Sequence, residues 1–163
     1  MARITFAGQS EYFDKLQQLQ ALFAKDATIE KAVAAGAAPV ADAIRDRLQA
    51  LPEDEFRHLA PGETFSGIPK EQKEDLETSF GLSPIVRDKN GFVNTKAGFD
   101  GYGSHPTKAY PHGVPNALIA RSVESGSSVR RKHPFVDPAV KATKDKAVAA
   151  MGRVIDEETE KIF

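Results

Sequence analysis

The chain has 163 residues, with 22 Lys and Arg against 23 Asp and Glu, and it contains no cysteine. A nearly balanced charge argues against a protein that holds nucleic acid by bulk attraction, and the lack of cysteine excludes disulfides, thiol catalysis and cysteine zinc sites. The length suits a single domain, residues 1–163. No apolar run approaches the roughly 20 residues that cross a bilayer, so we expect synthesis in the cytosol and no membrane partner.

The first third of the chain is predicted to be mainly helical. Residues 3–7 alternate and predict a short strand, and Ser10 is expected to cap a helix that runs to about Lys25. Thr28 is expected to cap a second helix, which Pro39 should kink or break because proline lacks an N–H and clashes with the preceding turn. The first helix is expected to carry one apolar stripe of Phe13, Leu16, Leu19 (or Gln20) and Phe23. The residues of the second helix expected to face inward are Ile29, Val33, Val40, Ile44 and Leu48.

Residues 52–80 are polar, acidic and interrupted by prolines. A solvated surface is the expected role, and contact with a basic partner is the alternative. One short helix is predicted from Lys70 to Phe80, and Gly81 is expected to end it.

Residues 82–96 predict a β-hairpin, because Asn90-Gly91 joins two β-rich runs and both residues tolerate the positive φ of a tight turn. Asp88 and Asn90 could also open a calcium loop, but the required glycine and the final glutamate of that motif are missing. Residues 97–115 follow as a loop rich in glycine, proline and aromatic residues. Loops of this length in a compact domain are usually functional or disordered.

Residues able to catalyse or to bind metals form no recognisable motif. His105 and His112 share the long loop, but their spacing does not suit a metal site on a helix or strand. Ser104 lacks the Gly-x-Ser-x-Gly elbow of a hydrolase nucleophile, and the neighbouring glycines lack the spacing of a phosphate cradle. We therefore predict no catalytic residue, no cofactor and no metal, with a hydrolase that uses Ser104 and His105 as an alternative.

The last third of the chain predicts a strand, a basic corner and a long helix. Residues 122–126 form the candidate strand, and residues 130–133 begin the basic cluster. Phe135 is expected to anchor the corner in the core, Asp137 to be the helix N-cap, and Pro138 to be the first helical residue. The apolar positions at helical spacing beyond it are Val140, Thr143 or Ala147, Met151, Val154, Ile155 and Ile162.

Two short segments of this third carry a family resemblance. Residues 120–128 read Ala-Arg-Ser-Val-Glu-Ser-Gly-Ser-Ser, and residues 133–139 read His-Pro-Phe-Val-Asp-Pro-Ala. A Val-Glu-x-Gly strand, followed by a Pro-Phe corner that opens a terminal helix, is similar to the pattern of the tail-completion and head–tail joining proteins of long-tailed bacteriophages. These are small minor tail or neck components. The resemblance extends more weakly over residues 29–51, and the acidic segment 52–80 and the loop 97–115 depart from the compact family pattern.

We therefore expect one α+β domain, in which two or three helices pack on a small antiparallel sheet. The sheet should include the 83–96 hairpin and a strand at 122–128, with a long C-terminal helix over one face. The resemblance implies a structural protein of a phage or prophage particle that forms a ring, commonly sixfold, between head connector and tail. Its partners would be copies of itself and the connector, adaptor and tail tube proteins, with DNA passing through the ring. It would be found in the virion, and in the host cytoplasm during assembly.

The candidate contact residues lie on the predicted strand, in the basic corner and in the long loop. They are Glu124, Arg130, Arg131, Lys132, Tyr102 and Tyr110, while Phe135, Asp137 and Pro138 form the expected structural pivot. Three explanations of the cations remain open: contact with phosphates, contact with an acidic patch such as residues 53–77 of the next copy, or plain hydration. The alternative function is a small nucleic-acid-associated protein that uses the basic residues within 130–146.

Overall fold

The computed structural model describes residues 9–24 and 26–163, so the strand predicted at 3–7 lies outside the described residues. The helices described are α1 (Gln9–Ala24), α2 (Asp26–Gln49), α3 (Lys70–Ser79), α4 (Asn116–Ser125) and α5 (Val136–Glu160). The strands described are β1 (Glu53–Asp54), β2 (Ile68–Pro69), β3 (Phe80–Leu82), β4 (Val86–Arg87), β5 (Val93–Asn94) and β6 (Ala97–Phe99). The predicted α+β class, with a long C-terminal helix, is confirmed.

Helices α2 and α5 pack against each other in antiparallel directions. The Lys31 ammonium lies 3.2 Å from the Glu158 carboxylate near one end of the pair. Further along, Gly36 faces α5 so closely that a Cβ there would lie 2.6 Å from Cγ of Met151. Small residues, with Ala139 and Thr143 buried on α5, let the two helices approach to this distance and bury their shared face.

Two predictions about the helices are wrong in detail, and of the kink or break predicted at Pro39 the break does not occur. Helix α2 begins at Asp26 and continues through Pro39, so Thr28 is buried inside the helix and no break occurs. Proline removes one bond of the helical ladder. Helix α2 contacts α5 before Pro39, at Gly36, and shares the core with Ala139 of α5 after it, through Ala41 and Ile44. On α5 the buried positions are Ala139 and Thr143, whereas Val140 is 44% exposed.

The predicted hairpin is confirmed. Its two arms extend beyond β4 and β5, because β3 and β6 continue the same antiparallel pairing. β3 pairs with β6 and β4 pairs with β5, both in antiparallel register. Ser83 N–H donates to the Lys96 carbonyl at 2.7 Å and joins the two pairs. The Asp88 carboxylate accepts the backbone N–H groups of Asn90 and Phe92 at 2.8 and 3.0 Å, which closes the turn. The chain passes directly from α3 into β3 at Phe80, so Gly81 lies in a strand instead of ending the helix.

The strand predicted at 122–126 is wrong, because residues up to Ser125 form the second half of α4. Ile119, Ala120 and Val123 are buried at helical spacing, and this face packs into the main core. That core contains Ala41, Ile44, Leu48, Leu51, Ile68, Leu76, Phe80, Ile119, Ala120, Val123, Phe135 and Ala139. Phe135 is 1% exposed, which agrees with its predicted role as the anchor of the corner.

The close approach of α2 and α5 generates a prediction at Gly36. Gly36→Val should lower the free energy of unfolding by about 1–3 kcal/mol, because the added methyl groups overpack the helix contact. Urea denaturation followed by circular dichroism measures it.

Gly152→Ala on α5 is the matched control, since a Cβ there meets no atom within 4 Å. It should raise the free energy of unfolding by about 0.5–1 kcal/mol through helix propensity. Equal effects of the two substitutions would contradict the close packing at Gly36.

Candidate interaction surfaces

Glu124, near the end of α4, caps the first turn of α5. One oxygen of its carboxylate accepts the N–H groups of Phe135 and Val136 at 2.7 and 2.9 Å, and the other accepts the N–H of Asp137 at 3.0 Å. The next residue, Pro138, has no N–H. Because a helix leaves its first N–H groups without partners, Glu124 and Pro138 together account for the whole start of α5.

The cap corrects the predicted roles of two pivot residues. Asp137 is not the N-cap, since α5 begins at Val136 and the Asp137 carboxylate instead accepts a bond from Lys141 at 2.7 Å. Pro138 is the third helical residue, a position where a missing N–H is harmless for the reason predicted. Glu124, predicted as a contact residue, is occupied inside its own chain.

The surroundings of Glu124 lower its pKa. Burial by itself would raise the pKa of this carboxyl, but the three backbone N–H groups outweigh burial and bring it below its ordinary value. The ionised carboxylate also lies at the positive end of the α5 dipole. Ionised Glu124 is therefore a stabilising part of the joint between α4 and α5.

Arg130 is buried, although the sequence predicted it as part of an exposed cluster. It is 5% exposed, and its guanidinium donates to the Gly67 carbonyl at 3.2 Å and to the Gln72 side chain at 2.5 Å. It also lies over the Phe65 ring, 5.6 Å from the ring centre. Burial lowers the pKa of Arg130, and the charge of Asp54 partly opposes this. Arg130 is therefore a structural residue of the corner, and its Nε has no hydrogen-bond partner among the residues that the structure describes.

The other residues of the corner divide between the surface and the fold. Arg131 and Lys132 have exposed side chains, as predicted for contact residues. His133 binds back into the protein, because its Nε2 lies 2.6 Å from the Ser66 carbonyl. The basic cluster is consequently smaller than the sequence suggests.

A second arginine, Arg57 in the segment before β2, also lies over the Phe65 ring. Arg57 lies 5.2 Å from the centre of the Phe65 ring, and it forms ion pairs with Asp54 at 2.8 Å and Glu63 at 3.0 Å. Bonds from the Ser66 backbone, with further bonds from Glu55, the Ser66 hydroxyl and Arg57, lower the pKa of Asp54 to about 2. Some carboxylates of the acidic segment are thus engaged in hydrogen bonds and ion pairs within that segment.

The long loop closes on itself before α4. Gly103 N–H donates to the Val114 carbonyl at 2.8 Å, and Gly113 adopts a φ of +98°, which favours glycine. A Cβ on Gly113 would also collide with the Gly103 carbonyl. Tyr102 is 65% and Tyr110 is 38% exposed, so both candidate residues remain available for contact.

Ser104 and His105 do not form a nucleophile and base pair. The Ser104 hydroxyl donates to one oxygen of Asp75 at 2.5 Å, and its backbone N–H donates to the other at 2.7 Å. The His105 ring stacks on Phe56 with ring centres 4.2 Å apart. Activation of a serine needs a base within hydrogen-bond reach of its hydroxyl, and here the carboxylate of Asp75 takes that bond.

A cavity of about 670 Å³, which we name the α4 cavity, lies between α4, the corner and the 56–65 segment. Its apolar wall includes Phe56, Leu59, Phe65, Val114, Leu118, Ile119 and Val129. Of the described residues that line it, none is acidic, and three carry basic groups: Arg57, His58 and Arg130. The sequence carries no local signal for this cavity, because its wall combines the 56–65 segment, α3, the long loop, α4 and the corner.

In the part of the chain that the structure describes, no three His, Asp or Glu side chains are grouped as a metal site. The helices of that part include none with the length and hydropathy to span a bilayer. Comparison with protein-family models, curated proteins and solved structures gives no match.

The cap on α5 predicts a pH-dependent effect of Glu124→Gln. At about pH 7 the substitution should lower the free energy of unfolding by about 1–2 kcal/mol, because a neutral amide offers one acceptor oxygen where the carboxylate offers two. The folded pKa of Glu124 lies below its ordinary value of 4.5. Its contribution is therefore fully present above that value and is lost as the pH falls through the folded pKa.

Urea denaturation at neutral and acid pH measures the difference between Glu124→Gln and the wild type. Glu160→Gln, an exposed residue at the other end of α5, is the control and should have little effect at either pH. A loss at Glu124 that shows no decrease as the pH is lowered stepwise through the acid range would contradict a charged cap.

The burial of Arg130 predicts that neighbouring arginines differ strongly. Arg130→Met should lower the free energy of unfolding by about 1–3 kcal/mol, because it leaves the Gly67 carbonyl and the Gln72 side chain without their donor. Arg131→Met, one residue away and exposed, should change it by less than about 0.5 kcal/mol. Thermal and urea unfolding of the two variants measure the difference in the free energy of unfolding. Similar decreases in the two variants would contradict the burial of Arg130.

Proposed function

We propose that this chain is a structural protein of a phage or prophage particle, that it joins the head connector to the tail, and that it acts by ring assembly without catalysis. The observation that carries the proposal is the contact between the two segments that resemble the joining family. Glu124 of the first segment caps the helix that the second segment begins. The His133 N–H also donates to the Val123 carbonyl at 2.8 Å. The residues of the two segments are therefore in direct contact, although the first segment is helical and departs from the strand of the family pattern.

Exposed apolar side chains give independent support for an assembly role. They occur on α1, around the α4 cavity and on the hairpin, where Phe92 is 69% exposed. Large exposed apolar patches usually mark sites of protein contact. Several separate patches on one chain suit a subunit that binds a neighbouring copy and other proteins at once. A contact between two different patches, repeated by rotation, closes into a ring.

The proposed partners are further copies of the chain, the connector or adaptor proteins and the tail tube. DNA would pass through the ring, and the protein would reside in the virion after assembly in the host cytoplasm. The proposed class includes three roles: tail terminator, tail-completion protein and neck adaptor.

Nucleic-acid binding by the basic residues within 130–146 is the second candidate. Arg131 and Lys132 support it because their side chains are exposed. Against it, Arg130 is buried and Lys141 is paired with Asp137 at 2.7 Å. Contacts to phosphate would make the affinity for DNA fall steeply as salt is raised.

Removal of the gene from the phage or prophage that encodes the chain tests the proposed function. We expect DNA-filled heads and separate tails in negative-stain images, because nothing then connects them. Expression of the wild-type protein in trans should restore joined particles. Normal joined particles without the protein would overturn the joining role, and salt-sensitive binding of DNA by the purified protein would then favour the second candidate.

A further inference from the structure

A methionine lies at the contact between α2 and α5, in a chain that contains little sulfur. The sequence has two methionines, Met1 and Met151, with no cysteine and no tryptophan. Met151 is therefore the one residue with sulfur in the part of the chain that the structure describes. It belongs to α5 and is 36% exposed, so small solutes in the solvent reach its side chain.

Met151 fills the space that the missing side chain of Gly36 leaves on α2. A Cβ on Gly36 would lie 2.6 Å from Cγ and 2.8 Å from Sδ of Met151, and atoms do not pack at such distances. Gly36 is buried, and so is Ala32, one helical turn before it. The thioether thus lies directly on the backbone of α2, in a place that small residues make for a flexible apolar side chain.

This contact belongs to the less firmly held half of α5. The buried residues of α5 are Ala139 and Thr143, which both lie in its first half. In the second half the side that faces α2 is half-buried, and it ends near the ion pair of Lys31 with Glu158 at 3.2 Å. Segments with few buried contacts open at a low cost in free energy. The second half of α5 therefore depends on contacts such as that of Met151 with Gly36.

A thioether that solvent reaches is open to oxidation by peroxides. The sulfur attacks one oxygen of hydrogen peroxide, so that an S–O bond forms and the O–O bond breaks. The proton of the transferred OH group moves to the departing hydroxide, which leaves as water. Sulfur is oxidised to the sulfoxide and the peroxide is reduced. Methionine sulfoxide reductases reverse the change with electrons from thiols, so the modification is reversible.

A sulfoxide does not suit the place that the thioether occupies. Gly36 has no side chain there, and the other described atom beside it is the Ala147 carbonyl oxygen, which accepts hydrogen bonds as a sulfoxide oxygen does. A sulfoxide that stays on Gly36 therefore buries a polar oxygen without a donor. A sulfoxide that turns to water leaves the backbone at Gly36 uncovered. Both outcomes weaken the contact between α2 and α5.

We propose that Met151 is a site of reversible oxidation, and that its sulfoxide releases the second half of α5 from α2. The oxidant is hydrogen peroxide or another small peroxide, and a methionine sulfoxide reductase restores the contact. The release is local, because the core around Phe135 and Ala139 packs at the other end of α5. The site is independent of the proposed joining role.

Peroxide treatment of the full-length protein tests the site. Peptide mass spectrometry follows the gain of one oxygen at Met151 and at Met1, while thermal unfolding and hydrogen–deuterium exchange follow the fold. We expect oxidation of Met151 to lower Tm by about 2–6 °C. Exchange should become several-fold faster in residues 144–160 and 29–37 and stay unchanged in the hairpin. Reductase with dithiothreitol should restore both, and the chain has no disulfide for the thiol to reduce.

Met151→Leu is the matched control, because leucine has a similar volume and no sulfur, while Met1 stays in place. Peroxide should change the Tm of this variant by less than about 1 °C. Met151→Ile takes its place if circular dichroism shows that the leucine variant is misfolded. Met151→Gln, with a polar amide at the same position, should lower Tm and speed exchange in residues 144–160 without peroxide.

Three results would each overturn the proposal. The first is complete oxidation of Met1 while Met151 remains a thioether. The second is a Met151 sulfoxide with unchanged exchange in residues 144–160, since the modification would then leave α5 in place. The third is an equal loss of Tm in the peroxide-treated Met151→Leu protein, which would assign the effect to another residue.

Discussion

The carboxylate of Glu124 is the interaction on which the last third of the structure depends. Three N–H groups at the start of α5 would lie in a partly buried corner without partners, and such groups are costly when water cannot reach them. Glu124 accepts all three, and Pro138 supplies no fourth. Because Glu124 belongs to α4 and the groups belong to α5, one side chain sets the position of two helices. The corner thereby fixes the direction in which α5 runs along α2.

A second set of contacts joins the corner to the middle of the chain. The Phe65 N–H donates to the Val129 carbonyl at 2.9 Å, and the Arg131 N–H donates to the Phe65 carbonyl at 3.1 Å. The guanidinium groups of Arg130 and Arg57 both lie over the Phe65 ring, 5.6 and 5.2 Å from its centre. A buried guanidinium is tolerated here because carbonyl, amide and aromatic groups replace most of its water. The acidic segment and the basic corner are thus parts of one structure within a single chain.

Turn motifs and helical spacing in the sequence predicted the elements whose formation depends on neighbouring residues in the chain. The Asn90-Gly91 turn predicted the hairpin, and helical spacing predicted α1, α2, α3 and α5 to within a few residues. The strand at 122–126 was mispredicted because five residues cannot show a helical period, which appears only when Ile119, Ala120 and Val123 are taken together. The burial of Arg130 depends on Gln72, 58 residues away in sequence, and no local pattern contains that information. The same holds for Glu124, whose capped groups begin 11 residues later.

The shape of the α4 cavity depends on the same two sets of contacts. The α4 cavity takes its walls from the 56–65 segment, α3, the long loop, α4 and the corner. The bonds from Phe65 to the corner and from α4 to α5 hold several of these segments together. Its shape is therefore a property of the whole joint and not of any single element.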